Sequence, residues 1–259
     1  MYDDADYDAE ESAASLTSTS LTSSLDSFHD DGWIDEILHE VKSGKEATVY
    51  CCRGGAAVGG RLVAAKVYRP RTRRGFKNDA VYQEGRVIGN KRDRRAVERK
   101  SAHGREVGFA SWIEHEFATL TLLHAAGADV PRPYTRSSSA ILMDYVGDAY
   151  EPAPLLHGVT LERDEAYNVF RTVMRNIEVL LARDIVHGDL SSYNILWWRG
   201  RVTIIDVPQA VDPRANPNAR ALLARDIENV YRYVARYGVR ADPARLADNL
   251  WRRFTHADL

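Results

Sequence analysis

The chain has 259 residues, of which 44% are hydrophobic and 28% are charged, and its formal net charge is −2. This composition is typical of a globular protein with one large domain or two lobes that share a cleft, and its net charge excludes a general affinity for polyanions. No run approaches 18 apolar residues and the N-terminus is not a basic-then-apolar leader, so we expect a cytoplasmic protein without a membrane span.

Residues 1–32 predict a disordered tail. Acidic residues come first and are followed by serines and threonines, with few large apolar side chains among them. Such a segment cannot bury enough apolar surface to offset the entropy lost on ordering. It is interpreted as a solubilising arm, and the alternative is a regulatory tail that accepts phosphate.

Residues 33–69 predict the first ordered elements. Apolar residues over 33–41 recur at helix-like spacing, and residues 43–52 then pass from a polar turn into a β-rich segment. Glycines within 54–60 indicate a hairpin connection to a return strand at 61–69. Cys51 and Cys52 are the only cysteines. Because neighbours on a strand point to opposite faces, we expect packing residues and neither a disulfide nor a metal site.

Residues 69–105 form a basic block, with thirteen Lys and Arg against four Asp and Glu. Such a block is usually a solvated loop, but it can also dock an acidic partner or RNA. Aromatic residues are sparse in it, which argues against a platform on which single-stranded bases stack.

The remainder of the chain predicts helices with two short β segments. A helix is expected over 111–128, with Ser111 as its N-cap and Gly127 as its stop. Further predicted elements are an extended segment at 130–134, a strand at 140–147, a helix at 164–184, a hairpin at 195–206, and helices near 218–237 and 243–254. The order predicts an α+β fold with a β-rich N-lobe over 33–147, a helical C-lobe over 148–259 and a ligand cleft between them.

Four polar residues form the constellation that carries chemistry. Asp189 and Asn194 are five residues apart, Asp206 ends the next hairpin twelve residues later, and Lys66 lies upstream in a strand. This order resembles a protein-kinase active site, with its H-x-D-x-x-x-x-N loop, metal-binding Asp and strand Lys. Asn194 and Asp206 supply the oxygen ligands that Mg²⁺ prefers.

The remaining roles follow from the charge of ATP. Lys66 can reach the α- and β-phosphates, and a helix carboxylate would hold that amine in line. Glu116 is the best candidate, since Glu114 points elsewhere on the same helix. Asp189 can orient the attacking hydroxyl or accept its proton. His187 is interpreted as a histidine that braces the loop.

With these motifs in view, the sequence resembles the RIO family of atypical protein kinases, and specifically its first subfamily. The resemblance covers residues 33–238. It rests on SGKEATVY at 43–50, AAKVY at 64–68, WIEHEF at 112–117, ILMDYVGD at 141–148, HGDLSSYNIL from 187, IIDVPQAVDP from 204 and LLARDIENV at 222–230.

The resemblance implies a bilobal protein-kinase-like fold with a reduced C-lobe and ATP with Mg²⁺ as cofactors, Mn²⁺ being an alternative metal. It implies a flexible loop at the basic block and no docking groove for extended peptides. The implied site residues are the catalytic Asp189 with Lys66 and Glu116; the nucleotide contacts Ser43, Gly44, Lys45, Lys66, Met143 and Tyr145; and the metal ligands Asn194 and Asp206.

Three positions depart from the family pattern. Ser192 stands where Glu is usual, Pro208 where Ser is usual, and Thr48 is an unusual residue in the phosphate loop. None of them removes a group that touches ATP or metal, but Pro208 cannot donate a backbone N–H. No winged-helix segment precedes the kinase lobes, which argues against the second subfamily.

Four functions remain open at this point. The first is an ATP-dependent serine/threonine protein kinase, which can also phosphorylate itself. The second is an ATPase switch that acts on a ribosomal or other RNA–protein particle through the basic loop. The third is a non-catalytic scaffold that senses nucleotide, and the fourth is a small-molecule phosphotransferase, against which SGKEATVY and IIDVPQAVDP argue.

Overall fold

The computed structural model of the protein describes residues 25–69 and 101–259. The predicted tail as far as residue 24, and residues 70–100 of the basic loop predicted at 69–105, lie outside the described residues. Residues 25–69 with 134–145 belong to one compact unit, and residues 101–133 with 146–259 belong to a second. The predicted lobe boundary at 147 is close to the second division, but the helix that precedes residue 126 groups with the second unit.

The described strands form two sheets, of five and two strands, and four longer helices lie between and after them in the chain. In chain order they are β1 (Ile34–Ser43), β2 (Ala47–Gly54), β3 (Leu62–Tyr68), α1 (Ala102–Ala125), β4 (Pro133–Arg136), β5 (Ala140–Asp144), α2 (Arg163–Leu181), β6 (Ile195–Trp198), β7 (Arg201–Ile204), α3 (Ala219–Ala235) and α4 (Pro243–Thr255). Over 25–69 and 101–259, no helix is long and apolar enough to cross a bilayer.

The first unit is a five-stranded sheet in the order β1-β2-β3-β5-β4. The hairpin between β2 and β3 is confirmed, and its connection contains a short 3₁₀ turn at Ala56–Val58. Gly59 and Gly60 follow with φ of 66° and 69°, a region that glycine adopts without strain. One face of the sheet packs on an apolar core that includes Cys52, Val63 and Leu142.

Residues 25–30, which we expected to be the end of the disordered tail, are helical. Leu25 and Phe28 are 6% and 2% exposed and pack into the core beneath the sheet. They are three residues apart and so lie on one face of a helix turn. Two large side chains among many small polar ones were too weak a periodic signal to show in the sequence.

The expectation of helical structure over 33–41 is wrong, because this segment is strand β1. It pairs with β2 along its length, with register shifts between Ile34 and Glu36, Ile37 and His39, and Glu40 and Lys42. Each bulge adds a residue and resets the alternation of side chains. Repeated bulges therefore convert the two-residue period of a strand into the three- and four-residue spacing of a helix.

The cysteines are packing residues, as predicted. Both are buried and free in β2, and Cys52 belongs to the core cluster. Burial raises the pKa of Cys52 to about 12, and burial also raises the pKa of Cys51. Both thiols therefore stay protonated at neutral pH and are poor nucleophiles.

In the second unit, α1 begins nine residues before the predicted start. Ser101, not Ser111, is its N-cap, and the Ser101 hydroxyl accepts the Gly104 N–H at 3.1 Å. The first turns lie in the predicted basic block and lack an apolar stripe, which hid them from a periodicity search. Gly127 has a φ of 78° and ends the helix as predicted.

The turn after α1 connects three elements of the second unit. Asn176 in α2 accepts the Asp129 N–H at 2.6 Å, donates to the Asp129 carboxylate at 2.8 Å and donates to the Thr172 carbonyl at 2.9 Å. The Asp129 carbonyl accepts the Ile204 N–H at 2.7 Å. The end of β7 is thus tied to α2 through a fully buried amide.

We expect Asn176→Ala to destabilise the protein by about 2–4 kcal/mol, because it leaves the Asp129 N–H and carboxylate without their buried partner. Urea unfolding measures the effect. Asn168→Ala, at an exposed position of the same helix, is the control and should stay within about 0.5 kcal/mol of wild type. Equal stability of the two variants would contradict this account.

Candidate active site

The loop at 187–194 is closed by the amide of its last residue. Asn194 Oδ1 accepts the Ser191 N–H at 2.7 Å, and Asn194 Nδ2 donates to the Asp189 carbonyl at 2.6 Å. Asn194 is buried, whereas Asp189 is exposed. The buried amide therefore fixes the backbone that carries an accessible carboxylate.

Side chains of helix α3 hydrogen bond to the backbone of the same loop. The Asp226 carboxylate accepts the Gly188 N–H at 2.8 Å and the Leu190 N–H at 2.9 Å. Arg225 donates to the Gly188 carbonyl, and Asn229 Nδ2 lies 3.3 Å from the Leu190 carbonyl. The two backbone amides that flank Asp189 in the chain are therefore bound to one buried side chain.

Gly188 suits this arrangement because its φ is 81°. A residue with a side chain is disfavoured in that conformation. Both polar groups of its backbone are used by α3, one as donor to Asp226 and one as acceptor from Arg225.

Asp226, which the sequence analysis did not assign, is 2% exposed. Burial raises its pKa to about 7, although the two N–H donors and the charge of Arg225 oppose the shift. The signal was present in the helix, since Asp226 falls on the apolar stripe formed by Leu222, Leu223 and Val230. A carboxylate on a buried stripe requires a partner, but the sequence does not show which backbone supplies it.

Asp206 follows β7 in a left-handed conformation, with φ of 69°. The preceding N–H, from Ile205, donates to the Asn194 carbonyl at 2.9 Å, and Val186 and Val211 exchange backbone hydrogen bonds of 3.0 and 2.9 Å. The segments before Asp189 and after Asp206 are therefore paired. Unfavourable backbone conformations of this kind cluster at functional sites.

His187 is buried beneath the loop, and its Nδ1 accepts the Asp189 N–H at 3.3 Å. Its Nε2 has no hydrogen-bond partner among the described residues, although the Asp206 charge and the Ile205 backbone both raise its pKa. Burial outweighs them and lowers the pKa of His187 to about 4. The imidazole is therefore neutral at pH 7, as expected of a histidine that braces the loop.

The second unit offers oxygen donors for a divalent cation. Although Asp189 is exposed as a residue, partial burial of its carboxyl group raises its pKa. The charge of Arg225 opposes this shift, and the negative charge of Asp206 adds to it. Two exposed carboxylates that repel each other, with the Asn194 amide on the same loop, are hard oxygen donors of the kind that Mg²⁺ prefers. The residues present fit a magnesium ion.

Helix α1 carries the predicted partner of Lys66. Glu116 is 1% exposed, whereas Glu114 lies exposed two residues away. His115 Nε2 lies 3.1 Å from the Ala210 carbonyl, so the helix contacts the segment that follows Asp206. A carboxylate buried this deeply is retained where it has a partner.

The first unit positions Lys66 on the sheet face opposite its core. In the register of the sheet, Lys66 pairs with Val49 on β2 and with Ile141 on β5. Because side chains alternate along each strand, one face carries Val49, Cys51, Ala64, Lys66, Ile141 and Met143. Lys66 is the charged member of an otherwise apolar set.

The predicted phosphate loop joins β1 to β2. Ser43 pairs with Thr48 at the end of the ladder, and the Gly44 N–H donates to the Ala47 carbonyl at 2.9 Å. Ser43 and Lys45 are exposed. The segment is a tight turn with accessible polar groups.

The predicted adenine contacts lie at the end of β5. Met143 pairs with Ala64 on β3, and the Tyr145 side chain partly opposes the rise in the pKa of Cys51 that burial causes. The structure thus gathers the predicted nucleotide contacts in the first unit. It gathers Asp189, Asn194 and Asp206 in the second unit, where Glu116 also lies.

The departures from the family pattern fit their surroundings. Pro208 is the second residue of a turn closed by the Ala210 N–H and the Val207 carbonyl at 3.1 Å, a position that suits proline. The Ser192 side chain is buried, and its carbonyl accepts the His157 N–H at 2.9 Å.

The family model described as the RIO domain matches residues 48–246. The chain is 34% identical over 213 residues to the RIO-type serine/threonine-protein kinase Rio1 of Haloferax volcanii, a match that covers 82% of this chain and 68% of that protein. It is 35% identical over 219 residues to the serine/threonine-protein kinase RIO1 of Chaetomium thermophilum, covering 80% of this chain and 40% of that protein.

Among solved structures, the Rio2 kinase-ADP/Mg²⁺-phosphoaspartate complex from Chaetomium thermophilum superposes with a TM-score of 0.62 at 20% identity, covering 88% of this chain and 64% of that one. The Rio2 kinase from the same organism superposes with a TM-score of 0.56. These similarities show a protein-kinase-like fold, as predicted from the sequence.

We expect Asp226→Asn to remove a pH dependence of stability. Because the folded pKa of Asp226 is about 7 and the unfolded value is about 4, wild type loses stability as pH rises through this window. As the pH rises from 5 to 8, the free energy of unfolding of the variant should therefore increase by about 2 kcal/mol relative to that of wild type. Urea unfolding at the two pH values measures this change.

Asp248→Asn, which removes an exposed carboxylate of α4, is the control. If the difference in unfolding free energy between wild type and Asp226→Asn is the same at pH 5 and pH 8, the buried carboxyl does not titrate near neutrality.

Proposed function

The chain belongs to the RIO family, and on this premise we propose that it is an ATP-dependent serine/threonine protein kinase that transfers the γ-phosphate of ATP to a protein hydroxyl. The observation that carries the proposal is the loop at 187–194. Asp189 is exposed there, between two backbone amides held by Asp226 and beside Asn194. A carboxylate that is accessible but fixed can orient a hydroxyl nucleophile.

Asp189 would hydrogen bond to the attacking hydroxyl. The pKa of an alcohol lies far above that of a carboxyl group, so orientation contributes more than full removal of the proton. The raised pKa of Asp189 makes this carboxylate a somewhat better proton acceptor as the new phosphate ester forms.

Asn194 and Asp206 are the residues that would hold Mg²⁺, with Mn²⁺ as an alternative. The bound metal supplies neutralisation of the phosphate charge that develops during transfer. Lys66 would contact the α- and β-phosphates, and Glu116 would pair with the Lys66 amine. The burial of Glu116 favours it over the exposed Glu114 for this role.

The nucleotide would lie against the sheet face that carries Lys66. Ala64 and Met143 on that face offer apolar contact for adenine, and the backbone from Met143 to Tyr145 offers polar edges. The phosphates would then meet the turn between β1 and β2, where Ser43, Gly44 and Lys45 are the predicted contacts and Lys45 would add a positive charge.

A second candidate is an ATPase that passes phosphate through an aspartate. The structural neighbour was determined as a complex with ADP, Mg²⁺ and phosphoaspartate, and this favours the candidate. Its substrate particle, ribosomal or otherwise, would be recognised through the basic block at 69–105. The chemical lability of the phosphoenzyme separates the two functions, since acyl phosphates react with hydroxylamine and serine or threonine esters do not.

We expect Asp189→Asn to reduce phosphate transfer from labelled ATP at least 100-fold, because the amide cannot accept the hydroxyl proton. Asp184→Asn is the matched control, since Asp184 lies just before the loop, pairs with Arg214 and adopts a left-handed φ that Asn tolerates. Labelled protein is counted before and after hydroxylamine treatment.

Retention of the label after hydroxylamine supports the kinase, and its loss supports the aspartyl-phosphate ATPase. Equal labelling of wild type and Asp189→Asn would refute a catalytic role for Asp189 in either reaction.

We also expect Asp206→Asn to weaken ATP binding about tenfold or more in Mg²⁺ and to leave it unchanged or tighter in EDTA. The variant loses a charged metal ligand but also removes a negative charge beside the phosphates. Calorimetric titration in the two buffers measures the difference. Asp212→Asn, six residues downstream and exposed, should retain the wild-type metal dependence. If Mg²⁺ changes the ATP affinity of Asp206→Asn and of Asp212→Asn equally, Asp206 is not a ligand of the metal.

A further inference from the structure

Arg69 binds the turn between β1 and β2 through both its backbone and its side chain. Its backbone N–H donates to the Glu46 carbonyl at 2.9 Å. Its Nη2 donates to Ser43 Oγ at 2.5 Å and to Thr48 Oγ1 at 3.2 Å. One residue, one position past the end of β3, thus contacts the turn at three places.

The two hydroxyls that Arg69 contacts close the base of the turn. Ser43 and Thr48 face each other in the strand register, and their oxygen atoms lie 3.3 Å apart. Thr48 is 2% exposed, so its hydroxyl requires a partner within the protein. Arg69 provides that partner, which gives the unusual threonine of this loop a structural reason.

Arg69 differs from Arg53 of the same sheet in what its side chain binds. Arg53 pairs with the Glu36 carboxylate at 3.2 Å, whereas the side-chain partners of Arg69 among the described residues are hydroxyls. Hydroxyl partners do not cancel its charge. Its positive charge therefore acts at the turn that the proposed function assigns to the phosphates of ATP.

We propose that Arg69 is a positioning residue for the phosphate loop, which holds the Ser43 and Thr48 hydroxyls so that the turn is already formed when the triphosphate of ATP arrives. The inference rests on the proposed function, since it needs nucleotide phosphates at this turn. A turn ordered before binding does not lose conformational entropy on binding, and affinity rises accordingly. The alternative is a direct salt bridge from Arg69 to phosphate.

The two mechanisms predict different coupling between Arg69 and Thr48. If Arg69 acts through the hydroxyls, Thr48→Val removes part of the same interaction, so Arg69→Ala and Thr48→Val are not additive. If Arg69 contacts phosphate directly, the two changes act independently and their effects multiply. Valine keeps the shape and β-branching of threonine, so the change tests the hydroxyl alone.

The experiment measures the dissociation constants of ATP and AMP by calorimetry for wild type, Arg69→Ala, Thr48→Val and the double variant. We expect Arg69→Ala to weaken ATP about tenfold, Thr48→Val to weaken it about threefold, and the double variant to equal Arg69→Ala. AMP binding should change less than about twofold, because AMP lacks the β- and γ-phosphates.

Arg53→Ala is the control for loss of an arginine from the same sheet, and it should bind ATP as wild type does. Unchanged ATP binding by Arg69→Ala, multiplied effects in the double variant, or an equal loss of AMP affinity would each overturn the positioning role. Wild type that fails to bind ATP would overturn the proposed function itself, and this inference with it.

Discussion

The buried carboxylate of Asp226 is the interaction on which the proposed active site depends. Removing a carboxylate from water costs several kcal/mol unless hydrogen bonds and nearby charge replace the lost hydration. Here the Gly188 and Leu190 amides and Arg225 replace it only in part, because the pKa of Asp226 remains raised to about 7. An apolar side chain at 226 would cost less to bury, but it could not hold the two amides that flank Asp189. The stability lost at Asp226 is thus coupled to the placement of Asp189.

Elsewhere in the second unit, too, buried polar side chains bind the backbone and the side chains proposed to react are exposed. Asn194 and His187 are buried and bind backbone, while the Asp189 and Asp206 side chains are exposed. Asn176 extends the same principle towards β7, because the turn that it holds accepts the N–H two residues before Asp206. In each case a buried polar side chain fixes the backbone that carries an exposed polar side chain. The loop residues are thereby held by hydrogen bonds to the neighbouring helices.

The sequence predicted those features that depend on neighbours in the chain. The hairpin at 195–206 is one, because its turn needs only Arg199 and Gly200, which have φ of 49° and 79°. The roles proposed for Asp189, Asn194 and Asp206 came from motif spacing and remain predictions. The bonds from α3 to the loop at 187–194 depend on partners distant in the chain and were missed. Strand β1 was missed although its partner β2 follows it directly, because its bulges hide the alternation of a strand.

The proposed ligand explains why the two units carry opposite kinds of polar groups. The described groups proposed for the phosphates are cationic or neutral donors, including Ser43, Lys45 and Lys66, and all belong to the first unit. The oxygen donors proposed for metal, Asn194 and Asp206, belong to the second unit. The Asp189 and Asp206 carboxylates of the second unit repel each other. A bound magnesium ion would offset this repulsion, whereas without metal the Asp206 charge would repel the phosphates, which is why Asp206→Asn should affect ATP affinity in opposite directions with and without metal.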